Sequence, residues 1–170
     1  MDDIGILVGP LIPPLRRYAR ALLHDRAAAD DLVQDCLERA ISRWHQRRAE
    51  GSTRTWLFTI LHNLAVNRMR ASARRGPHVE IDETMVVTAP DQEDALRHRD
   101  LLRALDALSE DHRSVLLLVS VEDLSYSETA EVLGVPIGTV MSRLARGRER
   151  LAAVLEGQPV AREPRLRRVK

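Results

Sequence analysis

Apolar residues recur at helical spacing from Leu11 to Arg75. Leu15, Tyr18, Leu22 and Leu23 share one face that ends near His24–Asp25. Ala29, Leu32, Val33, Cys36, Leu37, Ala40 and Ile41 share the next, ending near Trp44. This i, i+3, i+4, i+7 recurrence predicts amphipathic helices. The polar stretch Gln46 to Ser52, with Gly51 inside it, predicts a loop. Ser52 or Thr53 is placed to cap a third long helix that turns Leu57, Ile60, Leu61, Leu64 and Met69 inward. Arg74, Arg75, Gly76 and Pro77 end it. Residues 77–95 hold no sustained period and carry Pro77 and Pro90, so they read as an extended linker. Helical period resumes from Leu96 to Leu108, and Ser109 caps a further helix to about Leu118. From Gly157 the chain holds two prolines, four arginines and Lys170, which predicts a basic disordered tail. The expected fold is all-α: two small helical domains, residues 1–76 and 96–156, joined by a flexible acidic linker, 77–95, and followed by the tail, 157–170.

The second domain ends in a helix-turn-helix pattern from Leu124 to Leu151. Ser125 and Glu128 make the S-x-x-E pair of a capping box. Gly134 suits the sharp turn, and Pro136 opens the next helix with a pre-set φ. In that helix Val140, Leu144, Gly147, Leu151 and Val154 form the inward stripe. Arg143, Arg146 and Arg150 recur on a neighbouring face. An apolar back and an arginine front after a tight turn fit a DNA major groove, although a helical hairpin with solvated arginines has the same pattern.

Net charge is +1, which conceals segregation. Residues 1–75 carry 13 arginines against 8 acids, and residues 76–100 carry 2 against 7. Residues 101–155 carry 6 against 8, and residues 156–170 carry 5 basic against 2 acidic residues. A basic N-terminal half and tail with an acidic segment between them suggest a polyanionic partner. The single cysteine, Cys36, allows no internal disulfide and is expected as a small core residue in a reducing cytoplasm. The acidic N-terminus lacks a signal peptide's basic region, and no apolar run is long enough to cross a membrane. The histidines share no ligand spacing and are expected in solvated or capping roles. Acidic pairs at Asp30–Asp31 and Glu110–Asp111 are expected in first turns, where the helix dipole favours them. No phosphate loop, zinc-protease signature or nucleophile elbow is present. No catalytic residue, cofactor or metal site is therefore expected.

Three motifs in order carry a resemblance to the extracytoplasmic-function sigma factors, a two-domain class of bacterial RNA polymerase sigma factors. ADDLVQDCLERA, Ala29 to Ala40, resembles the family's core-polymerase-binding helix. TWLFTILHNLAVNRMR, Thr55 to Arg70, resembles its promoter-melting and −10-reading helix. SYSETAEVLGVPIGTVMSRLARGRERL resembles its −35-reading helix-turn-helix. The resemblance spans about Leu11 to Leu155.

It implies an alternative sigma factor, not an enzyme, that takes core RNA polymerase to specific promoters. The partners implied are the polymerase β′ and β subunits, promoter DNA and a repressing anti-sigma factor, with no small-molecule substrate. The chain would be a monomer or a heterodimer with its anti-sigma factor, in the cytoplasm, in a stress response. Asp31, Gln34, Asp35 and Glu38 lie opposite the apolar positions of their helix, and the resemblance gives them the docking face for the β′ clamp helices. Trp56, Asn63, Asn67, Arg70 and Arg74 lie opposite the apolar stripe of the third helix. Arginine holds phosphate, and amides and aromatics engage unstacked bases. The resemblance adds a base flipped from the −10 strand, held by Asn63 and the loop before Thr53. Trp56 suits core packing equally well. The family's usual loop aromatic is absent from Gln46–Thr53, and Asn67 stands where aspartate is common. For the −35 element the matching residues are Met141, Ser142, Ala145 and Arg146 at base edges, with Thr139 and Arg143 nearer phosphates. Met141 replaces a frequent lysine or arginine, and Gly147 stands mid-helix where alanine is usual. Two other readings are a free-standing helix-turn-helix regulator binding duplex as a dimer and a sigma-like decoy for an anti-sigma factor.

Overall fold

The computed structural model describes residues 2–47, 51–75 and 92–158. The described residues contain helices and no strand. The N-terminal lobe comprises α1 (Asp2–Val8), α2 (Ile12–Leu23), α3 (Arg26–Ser42) and α4 (Thr53–Arg75). The C-terminal lobe comprises α5 (Gln92–Asp106), α6 (Glu110–Leu116), α7 (Tyr126–Leu133) and α8 (Ile137–Leu155). The expected linker lies mostly outside the described residues, and its last four positions already belong to α5. The tail beyond Gln158 also lies outside them. No described helix is long and apolar enough to cross a membrane.

Local chemistry accounts for the boundaries. His24 ends α2 in the left-handed region, φ 57°, and the Asp25 side chain then accepts the Ala28 N–H at 2.8 Å to start α3. Ser52 Oγ accepts the Thr55 N–H at 3.2 Å, so serine is the cap of α4. Ser109 caps α6. Past Leu116 the chain widens into a π turn, Leu117–Val121, closed by the Glu122 N–H on the Leu117 carbonyl at 2.9 Å. The helix α1 was not anticipated, because seven residues are too few for a periodic signal.

Leu15, Tyr18, Leu22, Leu32, Val33, Cys36, Leu57 and Leu61 are buried, as their spacing requires. Ile41 is the exception: at 58% exposure it lies beyond the core, in the last turn of α3. Phe58 is fully buried, edge-on to Tyr18 with ring centroids 5.5 Å apart. The Asp30–Asp31 pair falls in the second turn of α3, not its first, because the helix begins at Arg26. Asp30 is held there by Arg20 at 3.0 Å and Arg16 at 3.7 Å, so ion pairs replace the helix dipole as its partner.

Cys36 donates to the Leu57 carbonyl, with Sγ 3.6 Å away, and burial pushes its thiol up to about 12. At pH 7.5 maleimide should leave the folded protein unlabelled, while the urea-unfolded chain reacts at once. Rapid labelling without denaturant, followed by mass spectrometry, would show that α3 and α4 part readily.

The lobes do not rely on the linker for their placement, because they touch directly. Helices α4 and α7 pack together, as do α2 and α6. The Tyr18 hydroxyl lies 3.0 Å from His62 Nδ1 in the N-terminal lobe and beside buried Ser114 of the C-terminal lobe. The expectation of solvated histidines fails here, since His62 and His112 are both buried at 8% exposure. Desolvation lowers the His62 imidazole from 6.5 to about 4; Asp111 opposes this, while Arg143 and Arg70 reinforce it. The folded state therefore binds the proton less readily than the unfolded one. Stability is complete above the ordinary value of 6.5 and falls as pH drops toward 4. The loss is about 1.4 kcal/mol per pH unit inside that window. Between pH 7 and pH 5 the His62 share is about 2 kcal/mol. Between pH 7 and pH 5 the urea-unfolding free energy of wild type should therefore fall by about 2 kcal/mol more than that of His62→Gln, and parallel pH profiles would remove His62 as the cause.

Candidate nucleic-acid interface

The helix-turn-helix forms as its local sequence dictates. Ser125 Oγ accepts the Glu128 N–H at 3.1 Å, and Glu128 Oε2 accepts the Ser125 N–H at 2.8 Å. Those bonds hold the Glu128 carboxyl below its ordinary value. Gly134 turns the chain at φ 63°. Pro136 is extended, ψ 149°, and caps α8 from outside instead of occupying its first turn. Val140, Leu144 and Gly147 are buried on the side of α8 that packs on α6. A Cβ at Gly147 would come 3.2 Å from Leu116 Cδ1 and 3.4 Å from His112 Cβ. The glycine thus permits close approach of the two helices and offsets about 1 kcal/mol of lost helix preference.

On the outer side of α8, Met141, Ser142, Ala145 and Arg146 are exposed, with Met141 at 48%. Ser142 Oγ donates to the Thr139 carbonyl at 3.1 Å, so its hydroxyl proton is engaged and its oxygen remains able to accept. Thr139 is half-buried. Arg143 departs from the expected arginine front. It leans back on α6 and pairs with Asp111 at 2.8 Å, half-buried. Arg150 is also half-buried, so Arg146 alone of the three presents an open guanidinium face.

On α4, Asn63, Asn67, Arg70 and Arg74 are exposed along one side of the helix. Trp56 is half-buried and packs edge-on against Trp44, with ring centroids 6.0 Å apart and planes at 68°. Arg47 sits 4.8 Å from the Trp44 ring. The packing role of Trp56 is thus realised. Residues 48–50 of the loop wall before Thr53 lie outside the described residues. Arg68, which carried no sequence signal, ties α4 to α3 through the Ala28 carbonyl at 3.3 Å and Asp31 at 3.9 Å.

On α3, Asp31, Gln34, Asp35 and Glu38 are exposed, opposite buried Leu32, Val33 and Cys36. Gln34 Nε2 donates to Glu38 Oε1 at 3.0 Å, which preorganises that stripe by one helical turn.

Residues 8–62 match the model of the sigma2 domain of PhyR, and residues 98–151 match that of Sigma-70 region 4. The ECF RNA polymerase sigma factor EcfG of Rhodopseudomonas palustris is 34% identical over 145 residues, covering 85% of this chain and 80% of the relative. The chain belongs to the extracytoplasmic-function sigma factors. The RNA polymerase sigma factor YlaC of Bacillus subtilis is 32% identical, covering 86% and 88%. The sigma factor RpoE of Bartonella quintana, solved with the anti-sigma factor NepR, superposes with a TM-score of 0.81 at 32% identity, covering 92% of this chain and 98% of that one.

Within this sigma factor one matched segment falls inside each lobe, and the first ends at residue 62, before Asn63, Asn67, Arg70 and Arg74 of α4. The residues that join the lobes were missed by sequence reasoning. Glu122, 1% exposed, accepts from Arg17 Nε at 2.8 Å and Arg17 Nη2 at 2.7 Å. Arg54 donates to the Glu122 carbonyl. Thr55 Oγ1 donates to Glu128 Oε1 at 3.2 Å, so the capping carboxylate of α7 also binds α4. His24 Nε2 lies 2.6 Å from Arg113 Nη1 and 2.9 Å from Asp106 Oδ1. No periodic or motif signal marks such pairs, because their members stand far apart in the chain.

Proposed function

We propose that this protein binds core RNA polymerase in the cytoplasm, directs it to promoters of a stress regulon and is held in check by an anti-sigma factor. The observation that carries the reading is identity of 34% and 32% to named polymerase sigma factors across both lobes, not across the helix-turn-helix alone. In this reading the exposed stripe Asp31, Gln34, Asp35 and Glu38 docks on the polymerase β′ subunit, and the second lobe adds contacts to β. Asn63, Asn67, Arg70 and Arg74 hold the melted −10 strand, the amides at base edges and the arginines at phosphates. Trp56 supports them from the Trp44 contact. Met141, Ser142, Ala145 and Arg146 read −35 base edges, while Thr139 and Arg143 approach the backbone. The protein supplies selection and strand capture, and the polymerase supplies the chemistry. An anti-sigma partner accords with the solved complex of its relative RpoE with NepR.

The test is retention of core polymerase on the immobilised protein, followed by run-off transcription from genomic promoter fragments. A sigma factor retains polymerase and yields discrete promoter-dependent transcripts. A dimeric regulator would bind duplex without polymerase, and a decoy would bind only the anti-sigma factor; either result ends the proposal.

A further inference from the structure

We propose that this chain closes on itself: with no partner bound, the Arg17–Glu122–Arg54 cluster and the Thr55–Glu128 bond latch the lobes into a form that cannot occupy both promoter elements. The inference rests on the sigma-factor reading given above. Every member of the latch bridges the lobes. Arg17 on α2 and Arg54 on α4 reach Glu122, which follows the π turn of the C-terminal lobe. Thr55 on α4 reaches Glu128 on α7. The Glu122 carboxylate is withdrawn from water, and the arginine that forks onto both its oxygens belongs to the other lobe. A buried carboxylate holds only while its partner stays in place. Parting the lobes returns Glu122 to water and ends that constraint. Both states are therefore self-consistent, as a two-state element requires.

Size decides what the closed state can do. The −10 and −35 elements lie about 25 base pairs apart, about 85 Å along B-DNA at 3.4 Å per step. A compact body of this chain's length is about 40 Å across. Helix α4, which carries Asn63 and Arg70, packs on α7, the first helix of the helix-turn-helix. The two readers are thereby held closer than their targets. Docking on the polymerase must part the lobes, and the apparent affinity for polymerase is reduced by the fraction of chains that are open.

The test measures the distance between nitroxide labels at Ser42→Cys and Ala152→Cys, both exposed positions on opposite lobes, in the full chain. Buried Cys36 stays unlabelled. The free protein should give one short, narrow distribution, and the complex with core polymerase and promoter a long one. Arg17→Ala and Thr55→Val should shift the free protein to long distances and tighten polymerase binding about tenfold, while Arg17→Lys stays closed. Circular dichroism verifies that each variant keeps its helices, and Thr55→Val decides if Arg17→Ala does not fold. Long distances in free wild type, short distances in the polymerase complex, or variants that match wild type would each overturn the latch. A labelled wild type that retained no polymerase would overturn the sigma-factor reading instead, and the free-chain distance would still judge the latch.

Discussion

Asn63→Ala is expected to leave capture of core polymerase unchanged and to slow open-complex formation about 10- to 100-fold on linear promoter DNA. The side chain is exposed in the middle of α4, away from buried Leu57 and Leu61. A short amide there pairs with the edge of an extruded base, and exposed Arg70 and Arg74 further along the helix hold the strand by its phosphates. Such a base-edge contact contributes about 1–3 kcal/mol, and each 1.4 kcal/mol is about tenfold in rate. A promoter with a pre-melted bubble should recover part of the activity, since unstacking no longer has to be offset. Permanganate reactivity of −10 thymines on linear and bubble templates reads both. Wild-type melting by the variant would leave Asn63 as a surface amide without a role in readout.

Arg146→Ala should cost about 1–3 kcal/mol on the preferred −35 sequence and relax selection at one base pair. Its guanidinium lies on the exposed side of α8 with Ser142 and Met141. Arg143→Ala should behave differently. Asp111 already neutralises part of that charge at 2.8 Å, so all sequences should weaken alike, by less, and the salt slope should drop by less than one counterion. Asp111→Asn frees Arg143 and should steepen the salt slope instead. Competition binding across a −35 library at two salt concentrations separates these cases. Equal, sequence-blind losses from Arg146→Ala and Arg143→Ala would mean that another face of α8 meets the groove.

The sequence by itself determined whatever depends on neighbours within a turn or two. Ser125 with Glu128, Gly134 and Pro136 carry their own cap, left-handed turn and helix start, because each acts on backbone groups three or four residues away. The stripes Leu15–Tyr18–Leu22 and Val140–Leu144–Gly147 were legible for the same reason: helical period alone puts their members on one side. That left the opposite faces of α3, α4 and α8 open, and the motif residues Asp35, Asn63 and Arg146 are exposed there. Only the tertiary structure decided which polar groups are buried and what they meet. Arg17 and Glu122 are 105 positions apart, and neither has a local pattern to announce the other. His62 reads as one more polar residue on α4 until Tyr18 and the second lobe remove it from water. Arg143 reads as a groove-facing arginine until α6 brings Asp111 within 2.8 Å. Periodicity specifies which side of a helix is apolar, but the partner of a charged side chain is set by the packing of whole helices, and that information is distributed over both lobes.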